Sequence, residues 1–172
     1  VEPRILNIDD VELTARPPLF TPKGEAAQRF DSRSGAIGTR LGAQKLGYNL
    51  CVVPPGKRAF PLHNHHVNEE LFFILGGSGE LRVGAQTHAV RQGDFIACPP
   101  GGPDSAHQLV NTGTVELRYL AVSTRLYPEL VEYPDSGKFA TMHERGRAPD
   151  GAPQMFRYFG REQDSLDYWD GE

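Results

Sequence analysis

The stretch His63-Asn64-His65-His66-Val67-Asn68-Glu69-Glu70-Leu71-Phe72-Phe73-Ile74-Leu75-Gly76-Gly77 decides how this chain is read. Strand side chains repeat every second residue, so His63 and His65 project from one face with their imidazoles side by side. His66 faces the opposite way, which assigns it a surface or loop role. The run Glu70 to Leu75 reads as the next strand, and a short turn brings its leading carboxylate to the same point. Glu69 is the rival for that position. Glu70, Phe72 and Ile74 share a face, and only one of two adjacent carboxylates points inward. Gly76-Gly77-Ser78-Gly79 then closes the strand, where a tight turn needs positive φ.

Neutral imidazole nitrogen together with carboxylate oxygen suits a divalent transition ion such as iron, manganese, nickel, zinc or copper. His107, on a distant apolar run, is the candidate for a further ligand, so the expected metal set is His63, His65, Glu70 and His107. Three or four protein ligands leave positions for water or substrate, which marks a working centre rather than a structural one. His88 and His143 have no ligand-like neighbours in the chain. Inward-facing Phe60, Phe72, Ile74, Tyr48 or Tyr119 would supply an apolar wall, and Arg40, Arg58, Arg82 or Arg118 would hold an anionic group. Of these, Tyr48, Arg58, Phe72 and Tyr119 are the expected substrate contacts. No residue declares itself as the general base.

Outward from this stretch, Thr39 to Thr124 consists of short apolar or alternating runs separated by glycine and proline: Leu46 to Val53, Glu80 to Val83, His88 to Val90, Phe95 to Cys98, His107 to Val110 and Val115 to Ser123. Many short strands at close spacing argue a β-sandwich or barrel and leave no room for a long crossover helix. Residues 1–36 are polar and proline-punctuated, with a short helical turn around Glu25 to Arg29, and read as an irregular N-terminal arm. The barrel is expected over 37–142, with an extra strand from Leu130 to Tyr133 and a turn at Pro134-Asp135-Ser136-Gly137. Residues 143–172 read as an irregular C-terminal tail packed on it.

The residues resemble the cupin superfamily, whose first motif is glycine, five residues, His-x-His, three or four residues, Glu, six residues, Gly. Gly56, His63, His65, Glu70 and Gly77 follow it with one extra residue before the first histidine. The second motif is similar to Gly93, Pro99, Gly101, His107 and Asn111. It departs between Gly101 and His107, where five residues stand in place of the usual two, a change that could widen the mouth or move the fourth ligand. The resemblance implies an all-β double-stranded β-helix, or jelly-roll, with a metal inside its mouth. Asn111, ahead of Thr112-Gly113, reads as a turn residue. The longer pattern through Gln108 to Asn111, Glu132 to Lys138 and Tyr168 to Glu172 resembles a bacterial cupin group labelled, by analogy, as sugar or sugar-phosphate isomerases.

The 172 residues suffice for one domain with a real core. The 22 acidic residues outnumber the 18 basic ones, so no basic field is available for phosphate backbones and nucleic acid is not expected as a partner. Cys51 and Cys98 sit in apolar runs and read as reduced core thiols. No apolar run approaches membrane-spanning length and no signal-peptide pattern opens the chain, so a cytoplasmic protein without membrane contact is expected. A homodimer is expected from the open edges of such barrels. The leading functional expectation is a small-molecule enzyme whose metal acts as a Lewis acid on a sugar-like or hydroxy-carbonyl substrate, of isomerase or epimerase type. A non-haem metal dioxygenase and a non-catalytic sugar-binding cupin remain the alternatives.

Overall fold

Alternation along the apolar runs becomes strand pairing in the computed structural model, which describes residues 4–149, 151 and 153–172. The strands are β1 (Thr14–Ala15), β2 (Arg33–Ala36), β3 (Leu46–Val53), β4 (Asn64–His65), β5 (Glu70–Gly76), β6 (Ser78–Val83) and β7 (Gln86–Arg91). They continue as β8 (Phe95–Cys98), β9 (His107–Val110), β10 (Leu117–Thr124), β11 (Glu129–Tyr133), β12 (Lys138–Arg147) and β13 (Pro153–Gly160). Two short helices, α1 (Glu25–Arg29) and α2 (Ile37–Arg40), lie near the start. The strands form three antiparallel sheets, ordered β1-β2-β3-β10-β5-β8, β13-β12-β11-β4 and β7-β6-β9. The isolated bridge His63↔His107 ties the start of β4 to that of β9. This is the all-β jelly-roll the sequence predicts.

The interior explains the residue choice. Phe72 and Ile74 of β5, Leu81 of β6, Leu109 of β9 and Leu117 and Tyr119 of β10 meet in one buried cluster with Val53, Ile96 and Cys98. Each fully buried large apolar side chain contributes roughly 1.5–3 kcal/mol relative to exposure. Strand β3 is buried on both faces: Val53 joins this cluster, while Leu50 and Val52 face a second one built with Val11 and Ile37. Covering of both faces accounts for the continuous apolar run at Leu50-Cys51-Val52-Val53. Gly77 has φ +80°, and a Cβ there would stand 2.4 Å from the Glu116 carbonyl oxygen, so the turn after β5 admits only glycine.

Two expectations about the ends need correcting. The segment 1–36 is not wholly irregular: β2 pairs with β3 from Arg33↔Val52 to Ala36↔Asn49, and β1 pairs with β2. Arg33-Ser34-Gly35-Ala36 carries no large apolar residue, so its strand character comes from the ladder and not from periodicity. The segment 143–172 likewise holds regular structure, because β12 runs on to Arg147 and pairs with β13. Most of β13 is exposed, which removes the apolar alternation that would have announced it. Among the described residues no helix is long and apolar enough to cross a membrane.

Candidate metal centre

Backbone pairing sets the first two histidines. His107 N–H donates to the His63 carbonyl at 2.8 Å and His63 N–H to the His107 carbonyl at 3.2 Å, which fixes both residues across the barrel end. His65 follows on the same face as His63, their ring centroids 5.0 Å apart. Asn64, between them, points away and is fully buried, donating to Gly101 O at 2.8 Å and Glu132 Oε2 at 3.0 Å. Glu70 opens β5 on the face of Phe72 and Ile74, and Glu69 is exposed, which resolves the rivalry between the two carboxylates.

One oxygen is the focus of the cluster. Glu70 Oε2 lies 3.0 Å from His107 Nε2, 3.5 Å from His65 Nε2 and 3.7 Å from His63 Nε2. Donor atoms of His63, Glu70 and His107 all lie within 4.8 Å of one another, a trio that does not include His65. The opposite ring nitrogens face oxygen atoms: His63 Nδ1 is 2.9 Å from Pro61 O, His107 Nδ1 is 3.4 Å from Ser105 O and His65 Nδ1 is 3.4 Å from Glu129 Oε2. With a metal bound, an Nδ1–H held by an oxygen would leave the Nε2 lone pair aimed at the centre, the tautomer a ligand needs. The contact at His65 is misaligned, so both of its buried nitrogens lack a hydrogen-bond partner. A buried imidazole without partners, beside two others and a carboxylate, fits a divalent ion bound to His63, His65, Glu70 and His107.

The protonation states follow from burial and neighbours. Burial is the main influence on His63 and moves its pKa below the ordinary 6.5, which keeps the ring neutral. Burial also acts to lower His65, but the Glu129 and Glu70 carboxylates outweigh it and raise its pKa to about 9. Burial would raise Glu70, yet the three imidazoles hold its carboxyl well below the usual range. Without a metal, His65 is therefore an imidazolium between two carboxylates. Glu129 escaped the sequence reading, which began that strand at Leu130. Glu129 is 1 % exposed, and the signal was its period-two relation to Val131 and Tyr133.

Two cavities flank the cluster. The larger, about 640 Å³, has His63, Phe60, Tyr133 and Arg58 in its wall. The smaller, about 280 Å³, has His65, Glu70, Glu129 and Tyr48. Two of the four expected substrate contacts, Tyr48 and Arg58, thus line cavities. The other two are core residues: Phe72 packs beneath His107 with ring centroids 5.7 Å apart, and Tyr119 lies behind Phe72 at 5.4 Å and is 2 % exposed. Of the other arginines, Arg40 donates to Asp10 O and Arg82 pairs with Asp135. His66 pairs with Glu132 at 3.0 Å on the outside. Asn111 bridges Val53 O and Val115 O at 2.8 Å each, as a turn residue does. Burial pushes the Cys51 thiol up to about 11 and Cys98 up to about 12, so both stay protonated core groups.

Fold and cluster together define a small antiparallel jelly-roll with an imidazole–carboxylate set inside one end of its barrel. Residues 49–123 match the family model described as the cupin domain. Among solved structures, a sugar phosphate isomerase from a cupin superfamily, from Silicibacter pomeroyi DSS-3, superposes with a TM-score of 0.75 at 24% identity, covering 96% of this chain and 98% of that one. A polyketide cyclase from Streptomyces resistomycificus superposes with a TM-score of 0.54 at 21% identity, over 73% and 82% of the two chains. These likenesses establish the fold. An uncharacterized protein of Methanocaldococcus jannaschii is 36% identical over 72 residues, 42% of this chain, and the match spans 54% of that protein's length.

Proposed function

We propose that this protein is a metal-dependent small-molecule enzyme of isomerase or epimerase type, acting on a sugar-like or hydroxy-carbonyl substrate. The observation that carries the reading is the gathering of three Nε2 atoms around one Glu70 oxygen, with one of the three histidines, His63, in the wall of a cavity large enough for such a substrate. A divalent ion held by His63, His65, Glu70 and His107 would supply Lewis acidity to adjacent substrate oxygens. The protein's own groups bind and orient. Phe60 stands edge-on to His63 with centroids 5.0 Å apart, and Tyr133 stacks on the same ring at 6.1 Å, so the imidazole is clamped at the cavity wall. Burial and the Glu70 charge raise the Tyr133 hydroxyl to about 12, which keeps it protonated and able to donate a hydrogen bond to a substrate oxygen. Arg58 supplies positive charge along the same wall. Glu129 braces the loop that carries His65 by accepting from the backbone N–H groups of His66, Val67 and Asn68.

The test is proton exchange without oxygen. Anaerobic protein reconstituted in turn with manganese, zinc, iron and nickel is incubated in deuterated water with a panel of hydroxy-aldehydes, hydroxy-ketones and their phosphate esters. Deuterium entering the carbon next to the carbonyl, with one metal and not in the metal-free protein, supports the reading. No exchange with any metal, together with metal-dependent oxygen consumption in air, would replace it with dioxygenase chemistry.

A further inference from the structure

The larger cavity gathers four cations, Arg16, Arg29, Arg58 and Lys138, against a single acid, Asp135. That acid is already engaged, because Arg82 donates to both of its oxygens at 2.8 and 2.9 Å. Among the described residues none of the four cations forms a salt bridge. Their placement is nevertheless fixed. The Arg29 and Arg58 guanidinium carbons stand 5.8 and 5.9 Å from the centre of the same ring, Phe30, and Arg58 N–H donates to the Arg29 carbonyl at 2.9 Å. The Lys138 ammonium sits 4.8 Å from the Tyr133 ring centre, and the Arg16 guanidinium donates to the Ala59 carbonyl. Four like charges gathered on one concavity repel one another, and an anion entering it relieves that repulsion.

We propose that this cavity holds the anionic end of the substrate, a phosphate ester or a carboxylate, with Arg29 and Arg58 as the principal grip and Arg16 and Lys138 closing around it. The guanidinium fork matches the oxygen geometry of both anions. His63 shares the cavity wall, so a substrate anchored by its anion presents its other end to the histidine cluster. The assignment deepens the reading of the metal centre and rests on it for the position of the reacting carbons. It also locates the selectivity: Arg16, Arg29 and Lys138 lie outside residues 49–123, which match the cupin domain.

Titration calorimetry of the full chain with orthophosphate, and separately with malonate, tests it. Metal-free and manganese-loaded protein are both used, and metal content is measured for every variant. Wild type should bind at least one of the two anions saturably at one site, and the preferred anion distinguishes phosphate ester from carboxylate. Arg58→Gln should weaken that binding about tenfold or more, the loss expected for a charge-assisted contact. The Arg29→Gln/Lys138→Gln double variant, in which Arg29 is exposed, should do the same and decides the matter if Arg58→Gln fails to fold. Arg91→Gln, an equal charge change on an exposed strand position, should leave binding intact. Absence of saturable binding to wild type in both metal states, or equal weakening by Arg91→Gln, overturns the proposal. Anion binding by a protein that takes up no metal would leave this site standing and remove only the metal-centre reading.

Discussion

Replacing Glu129 by glutamine changes one atom of a fully enclosed side chain, and its cost can be worked from the contacts. Oε1 accepts from the backbone N–H groups of His66 and Val67 at 3.2 Å each and of Leu130 at 3.0 Å. Oε2 accepts from Asn68 N–H at 2.9 Å and from the Asn68 side-chain amide. A glutamine keeps three of these bonds if its oxygen takes the Oε1 position, but its NH2 then faces two donors on Asn68. Asn68 cannot simply turn away, because its own Oδ1 accepts from Leu126 N–H at 2.7 Å and from Thr124 Oγ1 at 2.9 Å. At roughly 1–3 kcal/mol for each of the two buried donors left unpaired, Glu129→Gln should cost about 2–6 kcal/mol. For a chain of this size that is a fall in Tm of roughly 4–24 °C. Urea unfolding followed by circular dichroism on metal-free protein at neutral pH measures it. A loss below about 0.5 kcal/mol, the range of an ordinary surface change, would refute the argument that this carboxylate holds the His66–Asn68 loop.

Three other outcomes are expected. Phe72→Ala, which empties a 2 % exposed site between His107, Phe60 and Tyr119, should destabilise by about 3–5 kcal/mol in the same unfolding assay. In metal-free protein the His65–Glu129 pair should stabilise most between pH 4.5 and 6.5: His65, raised to about 9, contributes fully below 6.5 and loses its contribution as pH rises through 9, while Glu129, lowered from 4.5, loses its own as pH falls. Unfolding free energies of wild type minus His65→Ala across pH read this out, and apparent metal affinity should rise with pH toward 9 because His65 must shed a proton to bind. We propose a homodimer, since β7, β8 and β13 stand at sheet edges with only one strand neighbour; sedimentation equilibrium should give twice the chain mass, and a single-chain mass at high concentration would contradict it.

The cluster of His63, His65, Glu70 and His107 was legible because three of its members obey local strand periodicity within eight residues. The long connection from Gly101 to His107 left the fourth position open to doubt on spacing alone. A 3-10 turn at Pro103–Ser105 takes up the extra residues, and the ladder with His63 then pins His107 in place. What periodicity could not show was assembly from distant segments. Glu129 reaches His65 from more than sixty positions away, and the four cations of the larger cavity come from α1, β12 and two loops. Sequence tells the sign of such charges but not whether each already has a partner. The strands β2 and β13 were hidden for a related reason, since neither buries the alternating apolar face by which strands announce themselves.

That the histidine cluster holds a metal is tested most directly by elemental analysis. Protein purified without a histidine tag or added metal is compared with the His63→Ala/His65→Ala double variant. About one divalent transition ion per chain is expected in the wild type, with loss of that ion in the variant. A wild-type protein that carries no metal and cannot be loaded with iron, manganese, nickel, zinc or copper would contradict it.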